Sequence, residues 1–382
     1  MTFPKLPIQT ADPFFEPEDQ LYIGEQVPKI LNGQLSMGSN VAGFETEFSE
    51  MCQSKWAIAV NACTSALEIG LAFLQLKHTD EVIVPAQTFV ATAMAVHLSG
   101  ATPVFADIDQ GTMALSLDAI KKKVSQKTRA IILVHFAGIL SSEIDAIVKF
   151  CRENNIFLIE DCAHAVGALW NSRRAGTLGD VGCFSFYPTK IMTAGEGGML
   201  VTNSDEISQF ARSMQHRGRD FSQKKELYLH PGRNIRMPEF SALLGRVQLK
   251  RLPKNLERRR EIAAQYAEAF STISSILNPK IASGSEPAYW KYPILLASDI
   301  NRDQVLDFLH DKQVMADKSY DPPIHRHPFF LQKYPLEAGA LSQTEAILSR
   351  HICLPCHNRM SEVEVKYVIR TVVDAIRNQP VV

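Results

Sequence analysis

Ile156-Phe-Leu-Ile-Glu160-Asp-Cys-Ala-His-Ala165 joins a short apolar run to a polar end. Four consecutive β-prone apolar residues read as a strand covered on both faces, the pattern of a parallel sheet. In open α/β sheets, ligands bind beyond the carboxyl ends of the strands. Asp161 is therefore expected to point into a cleft. A carboxylate there can hold a heterocyclic nitrogen protonated through a charge-assisted hydrogen bond. Taken singly, the same residue is more simply read as a helix N-cap.

The neighbouring sequence repeats the theme in both directions. Strands are expected at residues 56–60, 81–84, 102–105 and 130–134, with helices at 66–76, 88–98, 117–124 and 143–153. Strands alternating with helices of this length imply βαβ units and a mainly parallel sheet between helices. Two further strands, at 182–186 and 198–202, flank Ser185-Phe-Tyr-Pro-Thr-Lys190-Ile-Met-Thr-Ala-Gly195-Glu-Gly-Gly198. Here a single lysine stands between an apolar run and a glycine cluster. A lysine that works on carbonyl groups needs a partly dry setting and a rigid mount. This segment can supply both, although most lysines are solvated.

The fold class expected is α/β, with a second, smaller α+β unit at the C-terminal end. Residues 1–35, Pro-rich and acidic with a helix near 19–31, read as an arm. Residues 36–252 read as the large domain, opening with a loop at 38–43 and a helix at 44–52. Pro253 and the charged run Glu257-Arg-Arg-Arg-Glu261 place a boundary before the small domain, 253–382. There a strand is expected at 290–296 and helices at 302–312 and 362–376.

The 382 residues are 46% hydrophobic and 21% charged, which suits a globule with a sizeable core. A net charge of −1 without a Lys/Arg stripe argues against nucleic acid as a partner. Seven scattered cysteines read as reduced thiols of a cytoplasmic protein. Met1-Thr-Phe-Pro-Lys-Leu-Pro7 shows no signal peptide, and no run reaches the ~20 apolar residues of a membrane span.

Three smaller features bear on chemistry. Asn61-Ala-Cys-Thr-Ser65 puts the Thr64 and Ser65 hydroxyls at a helix start after a strand, where free N–H groups and the helix dipole favour a phosphate. It matches neither nucleotide fingerprint with a glycine-rich loop. Phe89, in Pro85-Ala-Gln-Thr-Phe89, can lie over a flat ring. Cys353-Leu-Pro-Cys356, with His351 and His357 beside it, has a CxxC outline but no second ligand pair, so loop thiols and no metal are expected; His325 and His327 are too isolated for a metal site. A phosphate turn, a ring platform, an aspartate for a ring nitrogen and a lysine for an aldehyde are together the parts that hold pyridoxal 5′-phosphate.

In this order the motifs resemble the fold-type I, PLP-dependent sugar aminotransferases of the DegT/StrS family. The stretches that carry the likeness are Asn61-Ala-Cys-Thr-Ser-Ala-Leu67, Asp80-Glu-Val-Ile-Val-Pro85, Thr88-Phe-Val-Ala-Thr92, Gly100-Ala-Thr-Pro-Val-Phe105, Glu160-Asp-Cys-Ala-His-Ala165, Phe184-Ser-Phe-Tyr-Pro-Thr-Lys190 with Gly195-Glu-Gly-Gly198, and Asn234-Ile-Arg-Met-Pro-Glu239 with Gln248-Leu-Lys-Arg-Leu252. The resemblance implies that Lys190 joins the cofactor aldehyde and that Asp161 pairs with the ring nitrogen. Thr64, Ser65 and Ser185 would hold the phosphate, Phe89 would stack on the ring, and His164 would lie near the ring's 3-hydroxyl or the substrate. Asn234 would reach the cofactor of a second subunit, so a homodimer with shared sites is implied. Tyr320 and His325 match substrate-side positions. Two departures stand out: no glycine precedes Thr64, and Gln87 replaces a common aromatic.

The activity implied is transfer of an amino group, by a ping-pong course, from an amino acid such as L-glutamate to a keto-sugar, most simply a nucleotide-linked one. The products would be amino sugars of the kind built into lipopolysaccharides or antibiotics. Relatives that aminate cyclitols remain open, as do dehydratases of the same fold, which carry histidine in place of the lysine. A non-catalytic regulatory protein of this fold would lack part of the lysine, aspartate and phosphate set, all of which is present.

Overall fold

The structure, a computed structural model, describes residues 4–377. The leader reading at Met1 to Phe3 and the last five residues of the small domain lie outside them. The centre is a seven-stranded sheet: β1 (Trp56–Val60), β2 (Glu81–Pro85), β3 (Thr102–Ala106), β4 (Thr128–Val134), β5 (Phe157–Asp161), β6 (Val181–Ser185) and β7 (Gly198–Thr202), in the order β1-β7-β6-β5-β4-β2-β3. Pairings from β3 through β2, β4 and β5 to β6 are parallel, while β7 is antiparallel to both neighbours. Val134, Asp161 and Cys183 stand side by side in register. One edge of the sheet thus collects the carboxyl ends of six strands. The turn from Ser185 to Gly198, which carries Lys190, leaves from that edge.

Both faces of the sheet are covered, as unbroken apolar strands require. Ile58, Val84, Ile132, Ile159 and Leu200 face the helices Cys63–Phe73, Val90–Leu98 and Asp205–Gln215. Ile83, Leu133, Leu158, Phe184 and Val201 face Ser39–Cys52, Ile144–Glu153 and a 32-residue helix, Glu239–Phe270. Phe44, Phe48, Phe184 and Phe186 form a fully buried aromatic cluster, with Phe48 and Phe184 edge to face at 5.1 Å. Gly245 lets the long helix approach closely here, since a Cβ would come within 2.7 Å of the Phe44 ring.

Two expectations about helices are corrected. Residues 38–43 are not a loop, because the first helix of this domain already starts at Ser39. Its free N–H groups are met from far away in sequence: buried Glu239 accepts from Gly38 at 2.8 Å, Asn40 at 2.8 Å and Val41 at 3.0 Å. Local sequence offers no side-chain cap, so no local signal marks this start. Nor does Pro253 end a helix; Glu239–Phe270 runs through it. A mid-helix proline costs about 3 kcal/mol. Burial of Leu252 and Leu256 against the large core, and of Ile262 and Tyr266 against the small one, offsets that cost. The boundary expected at 252/253 therefore falls inside one helix that both cores share.

The small core gathers on the antiparallel strands β8 (Ile276–Leu277), β9 (Tyr292–Leu296) and β10 (His351–Leu354) and on the helices Arg302–Asp311 and Glu362–Arg377. Cys353 is not a loop thiol, since it lies in β10; Cys356 follows the strand in irregular chain, and both are fully buried. His351 is likewise buried, contacting the carbonyls of Leu348 and Ser319 at 3.0 and 2.7 Å. Among the described residues, no helix is long and apolar enough to cross a membrane.

The aromatic cluster gives the first prediction. Phe48→Ala should lower the unfolding free energy by about 3–5 kcal/mol, the usual cost of emptying a fully buried phenylalanine site. Urea denaturation followed by far-UV circular dichroism measures it, and a loss under ~1 kcal/mol would mean that this face is not close-packed.

Candidate active site

A cavity of about 560 Å³ opens at the carboxyl edge of the sheet. Asp161 forms part of its wall from the end of β5, and the register of β4, β5 and β6 fixes that position. The Thr92 hydroxyl donates to its Oδ2 at 2.9 Å and the Ala163 N–H to its Oδ1 at 3.1 Å. Thr88 and Thr92 share a further hydrogen bond at 2.7 Å, so the helix Val90–Leu98 braces the carboxylate from one side. Burial pushes Asp161 above the usual carboxylate range, and these two donors only partly reverse that. A cationic ring nitrogen brought against it would relieve the cost of holding that charge away from water.

Lys190 lines the same cavity, in the turn between β6 and β7. Burial brings its amine down to about 8, against the pull of Asp161 and Cys63 toward the charged form. The mount is rigid. The Trp290 indole N–H donates to the carbonyl of Thr189 at 2.7 Å, and the Lys190 amine sits over the same indole, 4.6 Å from its centroid.

The helix Cys63–Phe73 points its N-terminus at the cavity with no side-chain cap, and Thr64 lines the wall. Gly198 allows this approach, because a Cβ there would lie within 2.6 Å of the Ala62 carbonyl oxygen. Ser185 also lines the cavity. Ser65 does not; its hydroxyl turns back to Asn61 Oδ1 at 2.7 Å. Phe89, 56% exposed, stands at the rim with its ring 5.9 Å from that of Tyr320. Open N–H groups, two hydroxyls, a flat aromatic face, an amine and a carboxylate in one cavity fit pyridoxal 5′-phosphate in donor set and in size.

His164 is buried and stacked on Trp290 at 3.8 Å and 12°. Its Nε2 meets the Tyr320 hydroxyl at 2.9 Å, which brings the small domain against the large one. Burial drives its pKa well below that of free histidine, and the charges of Lys190 and Lys291 add to the effect. The ring is therefore neutral.

Two residues singled out from the sequence stand apart from this cavity. Asn234 is exposed, beside His216 in an isolated bridge. His325 is buried against Phe105 and engages Glu345 at 2.8 Å. Conversely, the sequence reading passed over Thr92, Trp290 and Lys291, all of which line the cavity. Residues 290 and 291 fall within the strand expected at 290–296, whereas β9 begins only at Tyr292.

The family model for DegT/DnrJ/EryC1/StrS aminotransferases matches residues 19–373. Over 337 residues the chain is 32% identical to the GDP-perosamine synthase of Vibrio cholerae, covering 87% of this chain and 90% of that protein. Over 348 residues it is 32% identical to the dTDP-4-dehydro-2,3,6-trideoxy-D-glucose 4-aminotransferase of Saccharopolyspora spinosa, covering 87% and 88%. Among solved structures, the aminotransferase TlmJ from Streptoalloteichus hindustanus is similar with a TM-score of 0.89 at 30% identity, over 97% of this chain and 99% of that one. Helicobacter pylori PseC, an aminotransferase involved in the biosynthesis of pseudoaminic acid, is similar with a TM-score of 0.90 at 26% identity, over 98% and 100%.

The burial of His164 yields a prediction. In ¹⁵N-labelled protein its ring resonances should stay at neutral-imidazole positions as the pH falls through about 6.5, where free histidine gains its proton. The unfolded chain takes up that proton and the folded one does not, so this group favours folding less as the pH drops below about 6.5. Ordinary titration near 6.5 would contradict the buried stack.

Proposed function

Because the chain belongs to the DegT/DnrJ/EryC1/StrS aminotransferase family, and is a PLP-dependent sugar aminotransferase, we propose that it moves the amino group of L-glutamate to a nucleotide-linked keto-sugar in two successive half-reactions. The observation that carries this reading is the pairing in one cavity of a braced carboxylate, Asp161, with an amine of lowered pKa, Lys190. GDP- and dTDP-sugar enzymes among the relatives support the substrate class.

When bound, pyridoxal 5′-phosphate supplies an aldehyde that exchanges with amines and a ring that accepts an electron pair. The protein's residues do the rest. Thr64, Ser185 and the start of the helix Cys63–Phe73 bind the phosphate. Asp161 keeps a proton on the ring nitrogen, and the Thr92 hydroxyl and Ala163 N–H keep Asp161 aimed there. Phe89 covers one ring face and excludes water. Lys190 Nζ takes the α-proton of the amino donor as general base and later returns it as general acid. In the second half-reaction the same amine carries the proton in the opposite direction, toward the sugar. Tyr320 and neutral His164, hydrogen-bonded to each other, orient the substrate beside Trp290. A lysine at position 190, where dehydratases of this fold have histidine, favours transamination over hydroxyl removal.

We further propose a homodimer in which Asn234 serves the site of the second copy. It is exposed outside its own cavity, close in sequence to the exposed Leu227, Tyr228 and Leu229. Seven free, buried cysteines support a reducing compartment, the cytoplasm.

Three measurements test these roles. Lys190→Ala should lose turnover by at least about 10³-fold together with the yellow absorbance of the lysine-bound cofactor; retained activity would sink the assignment. Purified enzyme given glutamate should lose its yellow colour and recover it on addition of a GDP- or dTDP-linked keto-sugar; no response to any such pair would remove the proposed substrates. The donor half-reaction should speed up as pH rises and level off above about 8, because only the unprotonated Lys190 can accept the α-proton.

A further inference from the structure

Lys190 shares the Trp290 ring with a second amine. Lys291 Nζ stands 4.2 Å from the ring centroid, against 4.6 Å for Lys190 Nζ. Lys291 is buried, lines the same cavity, forms an ion pair with Asp317 and donates to Ser319 Oγ at 3.1 Å. Asp317 in turn accepts from the Ser319 N–H at 3.2 Å and the Ser319 hydroxyl at 2.6 Å. The Lys291 side chain is thus held in place by Asp317 and Ser319. Lys190 has no carboxylate in ion-pair contact among the described residues.

We propose that Lys291 is a positioning residue for the reaction: its positive charge on the shared Trp290 ring biases the neighbouring Lys190 amine toward the free-base form that accepts the substrate proton. This rests on Lys190 being the reacting amine. An indole face by itself favours an ammonium. With one ammonium already held there, a second on the same ring meets like-charge repulsion across a poorly solvated space.

The charged and titratable groups around Lys190 make this role specific. Asp161 at the end of β5 and Cys63 at the start of its helix favour the protonated amine. Glu196, on the same turn, also borders the cavity, while Tyr320 and the neutral His164 add no charge. Among the charged groups acting on Lys190, Lys291 is the one that works in the same direction as burial. Burial is the larger influence; without Lys291 it alone would oppose the pull of Asp161 and Cys63 toward the ammonium, which cannot serve as a base. Asp317 and Ser319 occupy the polar side of the Lys291 amine, so its duty is electrostatic rather than that of a substrate anchor.

The test uses the full-length chain with Lys291→Met, Lys291→Arg and Asp317→Asn. Competitive acetylation of the cofactor-free protein from neutral to alkaline pH, quantified on the Lys190 peptide by mass spectrometry, gives the midpoint of that amine directly. Lys291→Met should move the midpoint up by about one pH unit, and Lys291→Arg should leave it within a few tenths. Asp317→Asn leaves the Lys291 charge unopposed and should move it down. Movement in opposite directions is the signature of charge, since mere loosening of the wall would move both variants alike. The pH at which the donor half-reaction levels off should follow the same order. An unmoved midpoint in Lys291→Met, or equal shifts in Lys291→Met and Asp317→Asn, overturns the proposal. Borohydride reduction of the holoenzyme separates this failure from a deeper one. If the cofactor is fixed on a lysine other than Lys190, the reading of the reacting amine is wrong; if it is fixed on Lys190 while the midpoints stay put, only the role of Lys291 falls.

Discussion

One buried carboxylate and one buried amine share a cavity without an ion pair between them among the described residues, and much of the molecule serves to keep them so. Left to themselves, two such groups would close on each other and neutralise their charges. Here the Asp161 oxygens accept from Thr92 and Ala163, while the Lys190 amine is drawn over the Trp290 indole. The cavity they line together has the size and donor set that a flat, charged cofactor would need. Desolvation then acts in opposite senses. It raises the carboxylate, which favours a cationic partner, and lowers the amine to about 8, within reach of the free-base form.

That separation is maintained by parts far from the chemistry. Parallel register sets the height of Asp161 on the sheet edge. The turn that carries Lys190 is pinned at one end where β6 meets β7 and in its middle by the indole hydrogen bond to Thr189. Trp290 belongs to the segment leading into the small sheet, and buried Arg259 on the long helix reaches the carbonyls of Tyr289 and Trp290 at 3.0 and 3.2 Å. The helix Glu239–Phe270 therefore holds a small-domain residue against a large-domain lysine. Its other end supplies Glu239 to the start of the helix Ser39–Cys52. A single element ties together the arm-side helix, the sheet and the wall of the active site.

Sequence patterns found the frame because the frame is local. Four apolar residues before Glu160, the strand that ends at Val60, and the glycines around Lys190 each signal their structure within a few positions. That is why β1 and β7 carry the bounds expected of them and why Lys190, Asp161, Thr64, Ser185, Phe89, His164 and Tyr320 all reach one cavity. Pairs distant in sequence escaped. Nothing near residue 38 announces that a glutamate some two hundred positions away will cap it. Nothing near Pro253 announces that two cores will grip the helix on both sides. Ser65 matched a phosphate-binding pattern, yet its hydroxyl turns to Asn61, a choice made by rotamer and neighbour.

By itself the sequence determined the kind of protein this is: an α/β sheet with a cavity along one edge, a lysine and an aspartate that both line it, and the family to which the chain belongs. Periodicity and motif order are properties of neighbouring residues, so the chain carries them openly. Only the tertiary structure decided how the working amine is surrounded. Trp290, Lys291 and the Asp317 beneath it stand about a hundred residues or more beyond Lys190 and meet it only when the small domain packs against the sheet edge. Electrostatic fields depend on distance through space, and distance through space is what a linear pattern does not contain.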